Sequence, residues 1–362
     1  MKRFFLISAC FAAAAATLSF ASRRAVAQEF SVGAYGSVDY EATRTVLKAD
    51  NSAINENGFS IPTLDLFLRG SLGNWSFLSE ILFDIDEGNT IGVDLDRFQI
   101  GYEVGDWLKI TAGRFHTSLG YYNTAYPQGG AVYLLPVDRP EVVDQHDNAS
   151  IVPTSTVGLN FHGKLPLLQQ RFSYDIDVSN GRGVQADDLA NGGDANNSKM
   201  LNLRLRYEVN GLILGGNAMV DWIPPRLGST DPALDQPDTL REQVFGAHIA
   251  YVEHPWHVIA EGYHISHIGP NQTQRTIAGL AELGYTIGQV TPYARYEMAR
   301  FPSTLDVFWA PTHQQERGNY DAVSTGIKIV PNENFAVKIE LEVNRSQLDT
   351  EYRAATQVAF GF

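Results

Sequence analysis

The segment Tyr352 to Phe362 alternates with a period of two. Even positions are Tyr352, Ala354, Thr356, Val358, Phe360 and Phe362; odd positions are Arg353, Ala355, Gln357, Ala359 and Gly361. Successive side chains of an extended chain point to opposite faces. The segment therefore predicts a strand with one apolar, aromatic face and one polar or small face. Such a strand needs apolar surroundings on one side and water on the other, up to a final phenylalanine.

The pattern recurs along the chain. Sixteen strand candidates fall near 30–41, 59–71, 75–86, 91–104, 107–115, 154–163, 171–180, 199–209, 211–222, 243–252, 256–266, 275–287, 289–299, 321–330, 335–345 and 352–362. In 199–209, Leu201, Leu203, Leu205 and Tyr207 alternate with Asn202, Arg204, Arg206 and Glu208. In 335–345, Val337, Ile339, Leu341 and Val343 alternate with Lys338, Glu340, Glu342 and Asn344. In 171–180, Phe172, Tyr174, Ile176 and Val178 alternate with Arg171, Ser173, Asp175 and Asp177. Charges at that density exclude a dry sandwich core on the second face, so water must fill that side.

The beginning of the chain reads as an export signal. Lys2 and Arg3 precede an apolar run from Phe4 to Phe20, and Ala25-Val26-Ala27 forms an A-x-A cleavage site before Gln28. We exclude residues 1–27 from the fold. The single cysteine, Cys10, lies in this segment. Ile7-Ser8-Ala9-Cys10 looks like a lipoprotein cleavage box, but apolar residues continue past it to the A-x-A site. Residues 28–362 hold no cysteine, which excludes disulfides and thiolate chemistry. Removing the signal leaves 23 basic against 41 acidic residues, a balance of −18 that argues against nucleic acid as a partner. Beyond Phe20 no run of 18 apolar residues exists, so no helix is expected to span a membrane.

Short and long connectors alternate between the candidates. Short ones are Gly73-Asn74, Gly105-Asp106, Asn210-Gly211, Glu253 to Pro255, Gly288-Gln289 and Pro331 to Asn334, with Lys164 to Gln170 slightly longer. Glycine and asparagine there supply hairpin-turn chemistry. Mostly longer polar connectors fall at 42–58, 116–153, 181–198, 223–242, 267–274 and 300–320. In lipid every backbone donor and acceptor needs an internal partner, so such a sheet must close on itself. The expectation is an all-β, 16-stranded antiparallel transmembrane barrel enclosing water, with both chain ends on the short-turn side. A secreted propeller or sandwich is the soluble alternative. Trp75, Phe77, Tyr102, Trp107, Trp222, Trp256, Tyr296, Phe360 and Phe362 lie near strand ends, where aromatic rings suit the two membrane interfaces.

Connector 116–153 is the longest insertion. Loops of that length are functional or disordered, and Tyr121, Tyr122, Tyr126, Tyr133, Leu134 and Leu135 give this one surface to bury. Its charges are Asp138, Arg139, Glu141, Asp144 and Asp147, with His116 and His146. On the inferred inner face lie Arg69, Arg97, Lys109, Arg171, Arg204, Arg206, Arg295, Lys328, Lys338 and Arg353. Asp65, Glu80, Asp84, Glu103, Asp175, Asp177, Glu208, Glu297, Glu340 and Glu342 oppose them. Rings of charge set ion selectivity in pores, and paired charges also brace a wet wall. From these sets we take Arg69, Arg97, Lys109, Asp138, Arg139, Glu141, Asp144, Arg204, Arg206, Arg295 and Glu297 as candidate pore-lining residues.

The terminal aromatic strand resembles that of bacterial outer-membrane barrels. Ala112-Gly113-Arg114-Phe115-His116-Thr117-Ser118-Leu119-Gly120 resembles the GxFxxPxG segment of the phosphate-selective porin (O/P) family. Val178 to Gly183, Pro292 to Glu297 and Lys338-Ile339-Glu340 resemble that family's strand ends and late strands. Ser118 stands where proline is usual and His116 where lysine is common. The resemblance implies a porin in which the third external loop, 116–153, folds into the barrel and narrows it. It also implies a homotrimer in outer-membrane lipid and lipopolysaccharide, with Phe362 read by the barrel assembly machinery. Neither a cofactor nor a catalytic residue is implied, and phosphate selectivity is not, because no lysine ladder is evident. Parity breaks near Arg114, where a bulge is expected.

Other chemistry is weaker. His248, His254, His257, His264 and His267 cluster in sequence without sharing a face, so they predict no metal site. Asp84-Ile85-Asp86-Glu87-Gly88 and the Asp187 to Asn197 loop do not match an EF-hand. No G-x-S-x-G, phosphate loop or dinucleotide fingerprint occurs. The leading expectation is passive diffusion of small hydrophilic solutes or ions, with a weak cation preference from the −18 balance. A sealed barrel with a structural or adhesive role, or with an enzyme site at the rim, is the alternative.

Overall fold

A computed structural model describes residues 28–85, 91–126, 130–144, 150–165, 171–184, 186, 193–194, 197–229, 231–315 and 317–362. The expected export signal, 1–27 with Cys10, the residues Asp86 to Gly88, His146, Asp147, and most of the 164–170 turn and of the Asp187 to Asn197 loop lie outside them.

The strands are β1 (Gln28–Leu47), β2 (Ala53–Ser60), β3 (Thr63–Leu72), β4 (Trp75–Ile85), β5 (Ile91–Gly105), β6 (Leu108–His116), β7 (Ser155–Leu165), β8 (Phe172–Ser179) and β9 (Met200–Val209). They continue as β10 (Leu212–Ile223), β11 (Leu240–Glu253), β12 (Trp256–Ile268), β13 (Thr273–Tyr285), β14 (Val290–Arg300), β15 (Tyr320–Asn332), β16 (Phe335–Arg345) and β17 (Asp349–Gly361). A single helical turn, α1 (Tyr122–Ala125), lies in the longest connector.

Apart from β2 and β3, each strand pairs antiparallel with its sequence neighbours, and β1 pairs with both β3 and β17, so the sheet closes. β2 and β3 lie end to end along β1: Gly36 faces Leu64 and Asp39 faces Ser60. The extra residue falls at Ile61-Pro62, where proline cannot donate to the ladder. The 17 segments therefore build a wall of 16 strands. Closure extends to the last residue, because Phe362 N–H donates to Ala34 O and Ala34 N–H to Phe362 O, both at 2.9 Å.

Period two sets what each face meets. Along β9, Met200, Asn202 and Arg204 are buried while Leu201, Leu203 and Leu205 are exposed. An outward belt of exposed leucine, isoleucine and valine is costly in water and stable in hydrocarbon. Aromatic pairs mark the short-turn rim: Trp75 on Tyr102, Phe172 on Tyr207, Trp256 on Tyr285, and Phe335 on Phe362. Among the described residues no helix is long and apolar enough to cross a membrane.

The expected long connectors at 42–58 and 267–274 are shorter than the sequence suggested. β1 runs on to Leu47 and returns as β2, while β12 and β13 leave only 269–272 between them. Thr43, Thr45 and Val46 keep β1 extended, and β17 pairs with it to Leu47. Asn51, at φ 57°, turns the chain, and Asp50 accepts the Ser52 N–H at 2.9 Å. The β6–β7 ladder is unbroken from Lys109/His162 to His116/Ser155, so no bulge sits at Arg114. Gly113, at φ 126°, changes the local direction instead, and a bulge lies on β5, where Glu80 faces Arg97 but Ile81 faces Leu95.

Candidate functional site

Connector 116–153 brings backbone to the charged face of the wall. A chain segment without sheet partners must satisfy its N–H and C=O groups elsewhere. Wall carboxylates accept its N–H groups. Asp177 Oδ2 accepts Ser118 N–H at 2.9 Å, and Glu261 Oε1 accepts Tyr121 N–H at 2.8 Å and Tyr122 N–H at 2.5 Å, at the start of α1. Glu340 Oε2 takes Val137 N–H at 3.2 Å, and Glu297 Oε2 takes Glu141 N–H at 2.9 Å. Wall cations supply the complement. Arg204 donates to Gly120 O at 2.8 Å, Arg295 to Asp138 O at 2.7 Å and Lys328 to Val132 O at 2.6 Å. Lys338, fully buried, donates to Ala131 O and Pro136 O at 2.7 and 2.6 Å.

Apolar contact completes the docking. Leu119, Tyr122 and Val142 of the connector cluster with Met219, Ile259 and Leu280 of the wall. Burial pushes the Tyr122 and Tyr126 phenols above their usual range and lowers the Arg139 guanidinium from its own. A second connector, between β14 and β15, joins the same cluster through Phe308 and Trp309. Arg182 lies over both rings, and it pairs with Glu242 at 3.1 Å. His267 bridges Glu242 at 3.2 Å and Asp306 at 2.8 Å.

The sequence-predicted residues divide into two groups. Arg69 is exposed over the Phe67 ring, while Lys109 and Arg206 are half-buried on the inner face. Arg97 is half-buried and pairs with Glu80. The rest are committed to contacts. Arg204 grips Asp175 through Nε and Nη2 at 2.9 and 2.8 Å. Arg295 pairs with Glu297 at 2.7 Å, Asp138 with Arg353, and Glu141 with Arg317. Arg139 is buried, gives Nη1 to Tyr126 O at 3.2 Å and lies over the Tyr122 ring; Asp144 is half-buried.

Residues that the sequence reading did not single out include Asp96, Glu242 and Glu261. Asp96 is the bulged residue of β5; the extra residue turns it inward beside Arg97, where it meets His116 Nε2 at 2.8 Å. His116 Nδ1 faces Asn123 O at 3.0 Å. Glu80, Asp96 and His116 form one grouping close enough to hold an ion, and Asp39, Glu41 and Asp138 another. Each already contains a guanidinium, Arg97 in the first and Arg353 in the second. The clustered histidines do not converge: His257 meets Glu282 at 2.6 Å, His267 meets Asp306 and Glu242, and His264 is exposed.

No protein-family model matches the sequence, and no curated protein matches it. Solved structures do match the fold. The outer membrane channel DcaP of Acinetobacter baumannii superposes with a TM-score of 0.60 at 10% identity, covering 92% of this chain and 97% of that one. OmpF of Salmonella typhi, solved with daunomycin, gives 0.60 at 13% identity over 94% and 99% of the two chains. An anion-selective porin from Comamonas acidovorans gives 0.58 at 11% identity over 92% and 100%. The chain shares the 16-stranded porin barrel with these proteins.

Proposed function

We propose that this chain is an outer-membrane porin that lets small hydrophilic solutes or ions diffuse passively through a water-filled channel. In this reading residues 1–27 are the cleaved export signal and 28–362 the barrel. The observation that carries it is the two-faced wall, closed where β1 pairs with β3 and β17: apolar residues outward, charged residues inward. Such a wall is stable in a bilayer and keeps a polar interior. The fold shared with channels named as such supports the reading. It also makes catalysis an unneeded assumption, since the inner charges already serve the wall and the loop.

The connector 116–153 is the constriction in this proposal. Its bonds to β8, β9, β12, β14, β15 and β16 support that role, because they hold it across the wall instead of over the mouth. Arg69, Arg97, Lys109 and Arg206 then face the remaining water. Arg204, Arg295 and Glu297, with Asp138, Arg139, Glu141 and Asp144 of the loop, set the constriction's position. The short turns lie in the periplasm, the barrel sits among outer-membrane lipid and lipopolysaccharide, Phe362 engages the assembly machinery, and the working form is a homotrimer.

The test is single-channel conductance of the refolded 28–362 chain in a planar bilayer under a salt gradient. Steady conductance is the expected outcome. Glu261→Ala, which removes the acceptor for Tyr121 and Tyr122 N–H, is expected to raise conductance or its noise. A folded, heat-modifiable barrel with no conductance would overturn the channel reading.

A further inference from the structure

A cavity of about 230 Å3 opens between Ser118 and Thr124 of the connector and the inner face of β5 to β9. Its floor is one cross-strand row. Lys109 of β6 lies directly opposite His162 of β7, His162 opposite Asp175 of β8, and Asp175 opposite Arg204 of β9. Directly opposed residues put their side chains on the same face, a few ångströms apart. Within this row the charges are unequally used. Asp175 accepts the Arg204 fork and also meets His162 Nδ1 at 2.8 Å. Arg97, at the cavity's other side, pairs with Glu80. Glu103 of β5 lies directly opposite Lys109 but outside the cavity lining, and Lys109 is in no ion pair among the described residues.

We propose that this cavity is a binding subsite for a small hydroxylated monocarboxylate, a sugar-acid class of solute. The proposal rests on the channel reading and names a solute class for it. Three features select the class. Lys109 is the one lining cation outside an ion pair among the described residues, so it matches one negative charge, and a dianion would leave a charge unmatched. Gln99 and Thr111 line the cavity beside Lys109 with hydroxyl-matching donors and acceptors, and the Phe115 ring offers a face for carbon. The space exceeds what inorganic phosphate or chloride fills, while a six-carbon hydroxy acid uses the cations and the neutral polar groups together. His162, with Nδ1 on Asp175, leaves Nε2 for a solute hydroxyl. The acidic surplus of the whole chain does not oppose this, because fields are set locally inside a narrow pore.

The experiment measures block of the potassium chloride current through the full barrel by added gluconate, with glucose and inorganic phosphate as comparisons. Gluconate is expected to reduce the current at concentrations where the other two do not. Lys109→Gln should weaken that block about five- to tenfold, the scale of one lost charge-assisted hydrogen bond. Lys109→Arg should restore most of it, and Gln99→Ala should weaken it about two- to threefold. Heat-modifiable migration verifies that each variant folds. Normal chloride current with no gluconate block overturns the subsite and leaves the channel reading standing. Equal block in Lys109→Gln, or stronger block by phosphate, overturns the assignment. Absence of any current overturns both.

Discussion

Asp177 accepts four donors: Ser118 N–H, Ser118 Oγ at 3.1 Å, Asn160 Nδ2 at 2.7 Å and Asn202 Nδ2 at 2.9 Å. The bond from Ser118 N–H explains why proline, usual in the resembling motif, is replaced here: proline has no N–H to give. Ser118→Pro is expected to cost about 1–3 kcal/mol by leaving one carboxylate lone pair unmatched in a buried setting. A lower unfolding temperature, read by the heat-modifiable gel shift, checks it; an unchanged temperature would count against the bond. Asp177→Asn keeps the shape but removes the charge, and it should destabilise less than Asp177→Ala. Asp177 stood out in the sequence as an inward charge, yet its role did not. Nothing local to Asp177 signals that Ser118, 59 positions away, donates to it.

At the scale of elements, the β1–β2 hairpin extends past the wall, and every residue of β2 is exposed. Its turn depends on Asp50, whose carboxyl is held below the usual range by hydrogen bonds from Ser52. A carboxyl depressed in the folded state contributes stability above its unfolded value, about 3.9. That contribution disappears as pH falls through the lower folded value. Protection of the Asn51 and Ser52 amides, taken relative to the intrinsic exchange rate at each pH, should therefore be constant near neutrality and fall below about pH 4. Asp50→Asn should abolish the acid step, and a step that survives the substitution would rule Asp50 out as its source. The strands themselves were legible, because period two is a local pattern; the hairpin was missed because polar residues such as Asn55, Glu56 and Asn57 read as loop. The bulge at Asp96 was equally hidden, since one extra residue alters the parity of its own strand only in relation to a partner.

For the molecule as a whole, the closing ladder between the first and last strands runs from Leu47/Asp349 to Tyr35/Gly361, and the Phe362–Ala34 bonds carry it to the last residue. Deleting Phe362 should lower the yield of heat-modifiable barrel several-fold while leaving the conductance of any folded channel unchanged. Wild-type yield would remove the terminal residue from the assembly argument. The barrel's identity was readable from patterning, whereas the candidate site was readable only as a set of inward charges. Which of them face water depends on contacts such as Lys338 to Ala131, separated by 207 positions, and no short-range signal encodes these. The same contacts have a mechanical consequence. A hollow cylinder under lateral squeeze tends to flatten into an ellipse, and its resistance falls as its diameter grows. In the proposed channel the connector 116–153 acts as a strut from β8 and β9 to β14 and β16, fastened at both ends by hydrogen bonds to charged wall side chains. On that proposal the cross-section would be held round from within, and the passage would keep its calibre when the surrounding bilayer changes tension.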